Sequence, residues 1–113
     1  MIKVIRDRIT EEELREFLGK PYSEMVKFVV DIRKDFMALG GALHADGEAL
    51  LLDEGSSQSD LWGGNIYPAR SKDNCIEYVS LINIRPSAGN SSTQVQDEAI
   101  RRRMKQVAEK LLP

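Results

Sequence analysis

Gly41-Ala42-Leu43-His44-Ala45-Asp46-Gly47-Glu48-Ala49-Leu50-Leu51-Leu52-Asp53 is the stretch on which the reading of the fold turns. It sets an Asp-Gly pair between two apolar runs. A type I′ turn needs positive φ at both central residues, and Asp-Gly meets that need well. The pair therefore predicts a hairpin, one strand over Gly41–Ala45 and its return over Glu48–Asp53. A two-residue turn forces the paired strands to run antiparallel.

Downstream, Asp53–Ser59 is a polar, Gly- and Ser-rich loop. Leu61–Tyr67 reads as a strand that Pro68 stops, and Gly63-Gly64 within it suggests a bulge or a close backbone approach. Ile76–Ile84 is apolar on both faces, with Ile76, Tyr78, Ile82 and Ile84 on one and Val79 and Leu81 on the other. That pattern predicts the longest strand, central in the sheet and ended by Pro86. A last helix begins near Thr93 or Asp97 and buries Ile100, Met104, Val107, Ala108 and Leu111.

Upstream, Met25, Phe28, Val29, Ile32, Phe36 and Leu39 follow the helical period after a Ser23 cap, and Gly40 closes the segment. Before it, Thr10 and Glu13 make a capping box, with Ile9 and Leu14 in the positions of a hydrophobic staple. Gly19 and Pro21 end that helix, and Ile2–Ile5 is a short strand. The expected order is β-α-α-β-β-β-β-α. This is an α+β fold, with an antiparallel sheet of about four to five strands and three helices packed on one face.

A chain of 113 residues fits one domain, residues 1–113. Its 42% hydrophobic and 30% charged content is that of a globular protein. Cys75 is alone, which excludes an intrachain disulfide and cysteine-based zinc sites and suits a reducing compartment. No signal peptide and no long apolar run is visible, so a cytoplasmic location without membrane insertion is expected. The net charge of −2 is unevenly spread. Asp46, Glu48, Asp53, Glu54 and Asp60 face Arg70 alone between residues 41 and 70, whereas Arg101, Arg102, Arg103, Lys105 and Lys110 crowd the end. An acidic middle and a basic end argue against a uniform nucleic-acid surface and suit self-association or an internal charge contact. The basic run fans over the solvated face of a helix, with no aromatic side chains between to stack on bases.

Several polar residues interrupt these strands: His44, Asp46, Asn65, Tyr67, Asn83 and Arg85, then Asn90 in the loop beyond. His44 and Asp46 share a strand face by spacing, as do Asn65 and Tyr67, and Asn83 and Arg85. Antiparallel pairing sends Tyr67 toward Ile76 and Arg85 toward Leu61 and Trp62, so one compact site is not implied. Arg85-Pro86-Ser87-Ala88-Gly89-Asn90-Ser91 follows a strand and precedes a helix. A guanidinium, a glycine-flexed backbone and hydroxyls can hold phosphate or carboxylate there. The ligand-binding candidates are thus Arg85, Ser87, Asn90, Asn83, His44 and Asn65, and the ligand an anionic small molecule. The plainer reading of the loop is a capped connection with Arg85 paired to an acid.

His44-x-Asp46-x-Glu48 invites a metal, but the turn occupies Asp46, Glu48 faces Ala45, and no second histidine exists. No metal and no cofactor is expected. His44 can serve as a general acid or base, and with Asp46 it would make a small hydrolase or nuclease. Trp62 is expected to cover a core edge.

The strings Gly41–Asp46, Leu61-Trp62-Gly63-Gly64-Asn65-Ile66-Tyr67-Pro68 and Ile82-Asn83-Ile84-Arg85-Pro86-Ser87-Ala88-Gly89-Asn90 resemble those of a family of short prokaryotic proteins catalogued as a domain of unknown function. The resemblance spans nearly the whole chain and implies a single domain. It brings no catalytic residue and no substrate. Three functional classes follow, in order of expectation. The first is an interaction or homo-oligomeric module using a sheet edge or the Trp62 region. The second is a binding protein for an anion at Arg85–Asn90. The third is a hydrolase or nuclease using His44 and Asp46.

Overall fold

β-Branched and aromatic residues crowd Val26–Asp31 and recur in Phe36–Gly40, and such residues favour the pleated strand. In the computed structural model, which describes residues 1–113, these segments are strands β2 (Val26–Asp31) and β3 (Phe36–Gly40) of one hairpin. Asp31 builds the turn. Its Oδ1 accepts from the backbone N–H groups of Arg33 and Lys34 at 2.9 and 2.8 Å, and Asp35 takes a left-handed φ of 59°. The second carboxylate oxygen accepts from the Ser56 hydroxyl at 2.6 Å, so this buried acid is satisfied from both sides.

The helix expected over Met25–Leu39 is therefore a hairpin. Val26, Phe28 and Val30 face one side of the sheet and Val29 the other, and all are buried. When both faces are covered nearly every position is apolar, and spacing alone does not separate helix from strand.

The reverse exchange holds for residues 41–53. In place of the hairpin at Asp46-Gly47 the chain forms helix α2 (His44–Asp53). Glu48, Ala49 and three leucines are strong helix formers. Gly47 serves packing rather than a turn. A Cβ there would lie 3.0 Å from Val29 Cγ2 and 3.3 Å from the Ala38 Cβ, so the glycine lets α2 sit close on β2 and β3.

Helix α1 (Glu11–Arg15) carries the expected capping box, with reciprocal bonds of 3.1 and 3.0 Å between Thr10 and Glu13. Strands β1 (Ile2–Ile5), β4 (Leu61–Ile66) and β5 (Ile76–Glu77) complete a five-stranded antiparallel sheet ordered β1-β3-β2-β4-β5. Helix α3 (Glu98–Leu111) starts at Asp97, whose side chain accepts from the N–H groups of Ala99 and Ile100.

The class is α+β, with three helices and an antiparallel sheet. The elements run β-α-β-β-α-β-β-α, the central helix and hairpin standing in exchanged places. The helices occupy both faces rather than one. Leu14 of α1 and Met104, Val107, Ala108 and Leu111 of α3 pack on Phe28, Val30, Met37 and Leu39. Leu51 of α2 packs on Val29, Ala38 and Leu61 behind them.

The segment Ile76–Ile84 is also not the long central strand. Only Ile76–Glu77 joins the sheet, at its edge, while Val79 bridges Gln94 outside it and β2 holds the centre. Beyond it Ser80 starts a 3-10 turn, Leu81–Asn83, its hydroxyl accepting from the Ile82 N–H at 3.2 Å. No helix is long and apolar enough to cross a membrane.

Candidate functional site

Strand register places Lys27 of β2 beside Asn65 of β4, and Asn65 beside Glu77 of β5. His44, the first residue of α2, lies against the same strip, and its Nε2 meets the Gly64 carbonyl oxygen at 2.7 Å. Asn65 donates to Glu77 Oε1 at 2.8 Å and to the Val79 carbonyl at 3.4 Å. Tyr67 donates to the same carboxylate oxygen at 3.5 Å, and Lys27 Nζ sits 5.3 Å from the Tyr22 ring centre.

Burial pulls the His44 pKa below its ordinary value. The Gly64 carbonyl, Asn65 and Glu77 oppose that shift, and Lys27 reinforces it. The ring is thus neutral near pH 7, with a proton on Nε2 to donate to Gly64. Burial also lowers the Lys27 pKa, and Glu77 opposes it.

The pairing of His44 with Asp46 on one face does not occur. On a helix, residues two apart point about 200° from each other. His44 accordingly faces the sheet, buried, while Asp46 is exposed. The carboxylate near His44 is Glu77, and the His-x-Asp-x-Glu set does not assemble around one point.

Arg85, Asn83 and Asn90 belong to a second region, near the start of β4. Arg85 lies 4.8 Å from the Trp62 ring centre and 3.3 Å from Glu48 of α2. Antiparallel geometry therefore separates the Tyr67 and Arg85 ends as the spacing predicts. Burial draws the Arg85 pKa down and Glu48 holds it up.

Asn83 does the work of a missing strand. Its Oδ1 accepts from the Gly63 N–H at 2.8 Å, and its Nδ2 donates to the Gly63 carbonyl at 2.9 Å and the Thr93 carbonyl at 3.1 Å. Gly63 is bare because a Cβ would meet Ser80 Cβ at 2.6 Å and His44 Cδ2 at 3.2 Å. The close backbone approach read from Gly63-Gly64 is found at Gly64, where a Cβ would lie 2.9 Å from the Glu77 carbonyl oxygen. Asn90 donates to the carbonyls of Asn83, Ser92 and Gln94 and accepts from the Gln96 N–H, so its carboxamide is fully engaged. Arg85 and Asn90 also exchange backbone hydrogen bonds around a 3-10 turn that leaves Ser87 exposed.

The candidates therefore fall into two groups. His44 and Asn65 come together with Lys27 and Glu77, which sequence reasoning passed over. Arg85, Asn83 and Asn90 come together without them. Asn83 and Asn90 bond to backbone, whereas Asn65 and Tyr67 share the Glu77 carboxylate and Arg85 meets Glu48; Asn65 Oδ1 and Arg85 Nη1 are buried without a protein partner.

The surface shows a different feature. Trp62 is buried and offers nothing to a partner. Five large apolar side chains are exposed, and four lie on α2, at its head or in the turn beside it: Leu43 at 60%, Leu52 at 41%, Leu81 at 78% and Ile84 at 44%. Leu81 and Ile84 were unreadable as surface residues inside an apolar run. Ser80 and Asn83, both turn formers within that run, were the available signal.

No curated protein and no solved structure matches the chain. A family model described as a protein of unknown function, DUF5674, matches residues 3–111. The fold and the two polar groups described above are thus those of a member of that family, to which this chain belongs.

Proposed function

We propose that this protein is a small interaction module whose partner is a second copy of itself, joined through the outer face of α2 and the turn at 81–84. The observation that carries this reading is the exposure of Leu52 on the outer face of α2, together with exposed Leu81 and Ile84 in the turn packed against that helix. The outer face of α2 adds Ala45 and Ala49, both exposed and in line with Leu52 at i, i+4 and i+7. Small residues at a helix crossing let two backbones come close, and a two-fold pairing would set each strip against its own copy. By contrast, Arg102, Lys105 and Glu109 are exposed on α3, and Glu11, Glu12 and Arg15 on α1. Asp46 and Asp53 border the strip, as polar residues border the apolar centre of an interface.

The polar groups support the reading indirectly. Arg85 already has Glu48 for a counter-charge, and Asn83 and Asn90 are buried with both ends of each carboxamide bonded to backbone. Sedimentation velocity over a wide concentration range tests the proposal. The expected result is a dimer that Leu52→Glu and Leu81→Glu each convert to a folded monomer. Both positions are exposed, so folding stability should change by no more than about 0.5 kcal/mol. A native chain that stays monomeric throughout removes the proposal.

A further inference from the structure

A groove of about 370 Å³ lies on the other side of the molecule, between the end of α3 and the β4–β5 edge. Ile66, Ile76, Ala108 and Leu112 give it an apolar floor, and Arg8, Lys72 and Lys105 stand at its rim. Arg8 is held in place by the carbonyls of Glu109 at 2.6 Å and Lys110 at 3.2 Å. No carboxylate lies within ion-pair distance of Arg8 or Lys72. Glu109 is 3.8 Å from Lys105, which leaves Asp73 as the one remaining acidic side chain of the lining beside two cations without an ion pair.

Size decides the kind of occupant. The groove lies at the low end of the range for small-molecule sites. We propose that it binds a small aliphatic carboxylate, the tail against the apolar floor and the head at Lys72 and Arg8. Desolvating the tail supplies the attraction, and the cations select the sign of the head.

Octanoate is the probe, and Cys75, the only thiol in the chain, reports from the groove wall. Titration of the ¹⁵N-labelled protein should give saturable amide shifts at Ile66, Ile76 and Ala108, and bound octanoate should slow alkylation of Cys75. Octyltrimethylammonium, with the same tail and the opposite head charge, should do neither. Lys72→Glu should weaken octanoate about tenfold with an unchanged melting temperature, since Lys72 is exposed. Failure to saturate, equal binding of the cationic amphiphile, or an unaltered affinity in Lys72→Glu would each overturn the assignment.

Discussion

Two buried side chains carry more of the structure than their size suggests. Asn83 closes the exposed ladder of β4 with a carboxamide that matches both bonds of Gly63. Asn83→Ala strips the N–H and C=O of Gly63 of their partners, and the expected loss is about 2–4 kcal/mol in a urea titration. Asn83→Asp keeps the acceptor but points a carboxylate at two carbonyls. Its destabilisation should grow as pH rises through the carboxylate range and the group ionises. His44 gives the opposite pH dependence. Its folded pKa lies below the ordinary value of 6.5, so the unfolded chain binds the proton first. The contribution of His44 is complete above that value and is lost as pH falls through it toward the folded pKa. Urea midpoints taken stepwise from neutral to mildly acidic pH should decline, and His44→Gln should flatten that decline.

At the scale of elements, close approach governs the architecture. The Ser80 side chain packs against the α2-facing side of Gly63 where a side chain would otherwise stand. Gly63→Ala should therefore push the 80–83 turn away from β4 and cost about 1–3 kcal/mol, measured by thermal unfolding, despite adding only a methyl group. Leu61–Ile66, the capped start of α1 and the stripe of α3 were legible, because each rests on a local signal: a bounded apolar run, a Thr-x-x-Glu pair, a 3.6-residue period. The hairpin of β2 and β3 was not, since burial on both faces erases the alternation that marks a strand. Helix α2 was hidden for a related reason. Its sheet-facing positions are His44, Gly47 and Leu51, so the buried stripe holds one large apolar residue, and Asp-Gly speaks for a turn. For the polar residues, the separation of the Tyr67 and Arg85 ends could be argued from pairing direction. The company of Lys27 could not, because it depends on a β2–β4 register that the mistaken helix concealed, whereas Glu77 lay in a predicted strand already set against Tyr67.

Across the whole molecule, the exposed leucine and isoleucine side chains concentrate on one element and the turn beside it. α1 and α3 turn charged residues to solvent, while α2 and the neighbouring turn expose leucine and isoleucine. A dimer joined by such a strip should show the thermal signature of apolar burial, with a negative heat-capacity change on association. Because apolar attraction fades on cooling, the dissociation constant should rise between room temperature and near-freezing conditions, a trend that sedimentation equilibrium at two temperatures can follow.

The β2–β3 hairpin also bears on how the chain reaches this state. Its strands meet across Ile32–Asp35 alone, whereas β1 reaches β3 only after spanning α1, and β4 reaches β2 only after α2 is in place. Closing the short loop loses the least chain entropy, so the hairpin is the natural nucleus to which both flanks of the sheet attach. Substitutions at Val29 or Ala38 should then slow refolding in proportion to the stability they remove, while those in β1 or β5 should chiefly hasten unfolding.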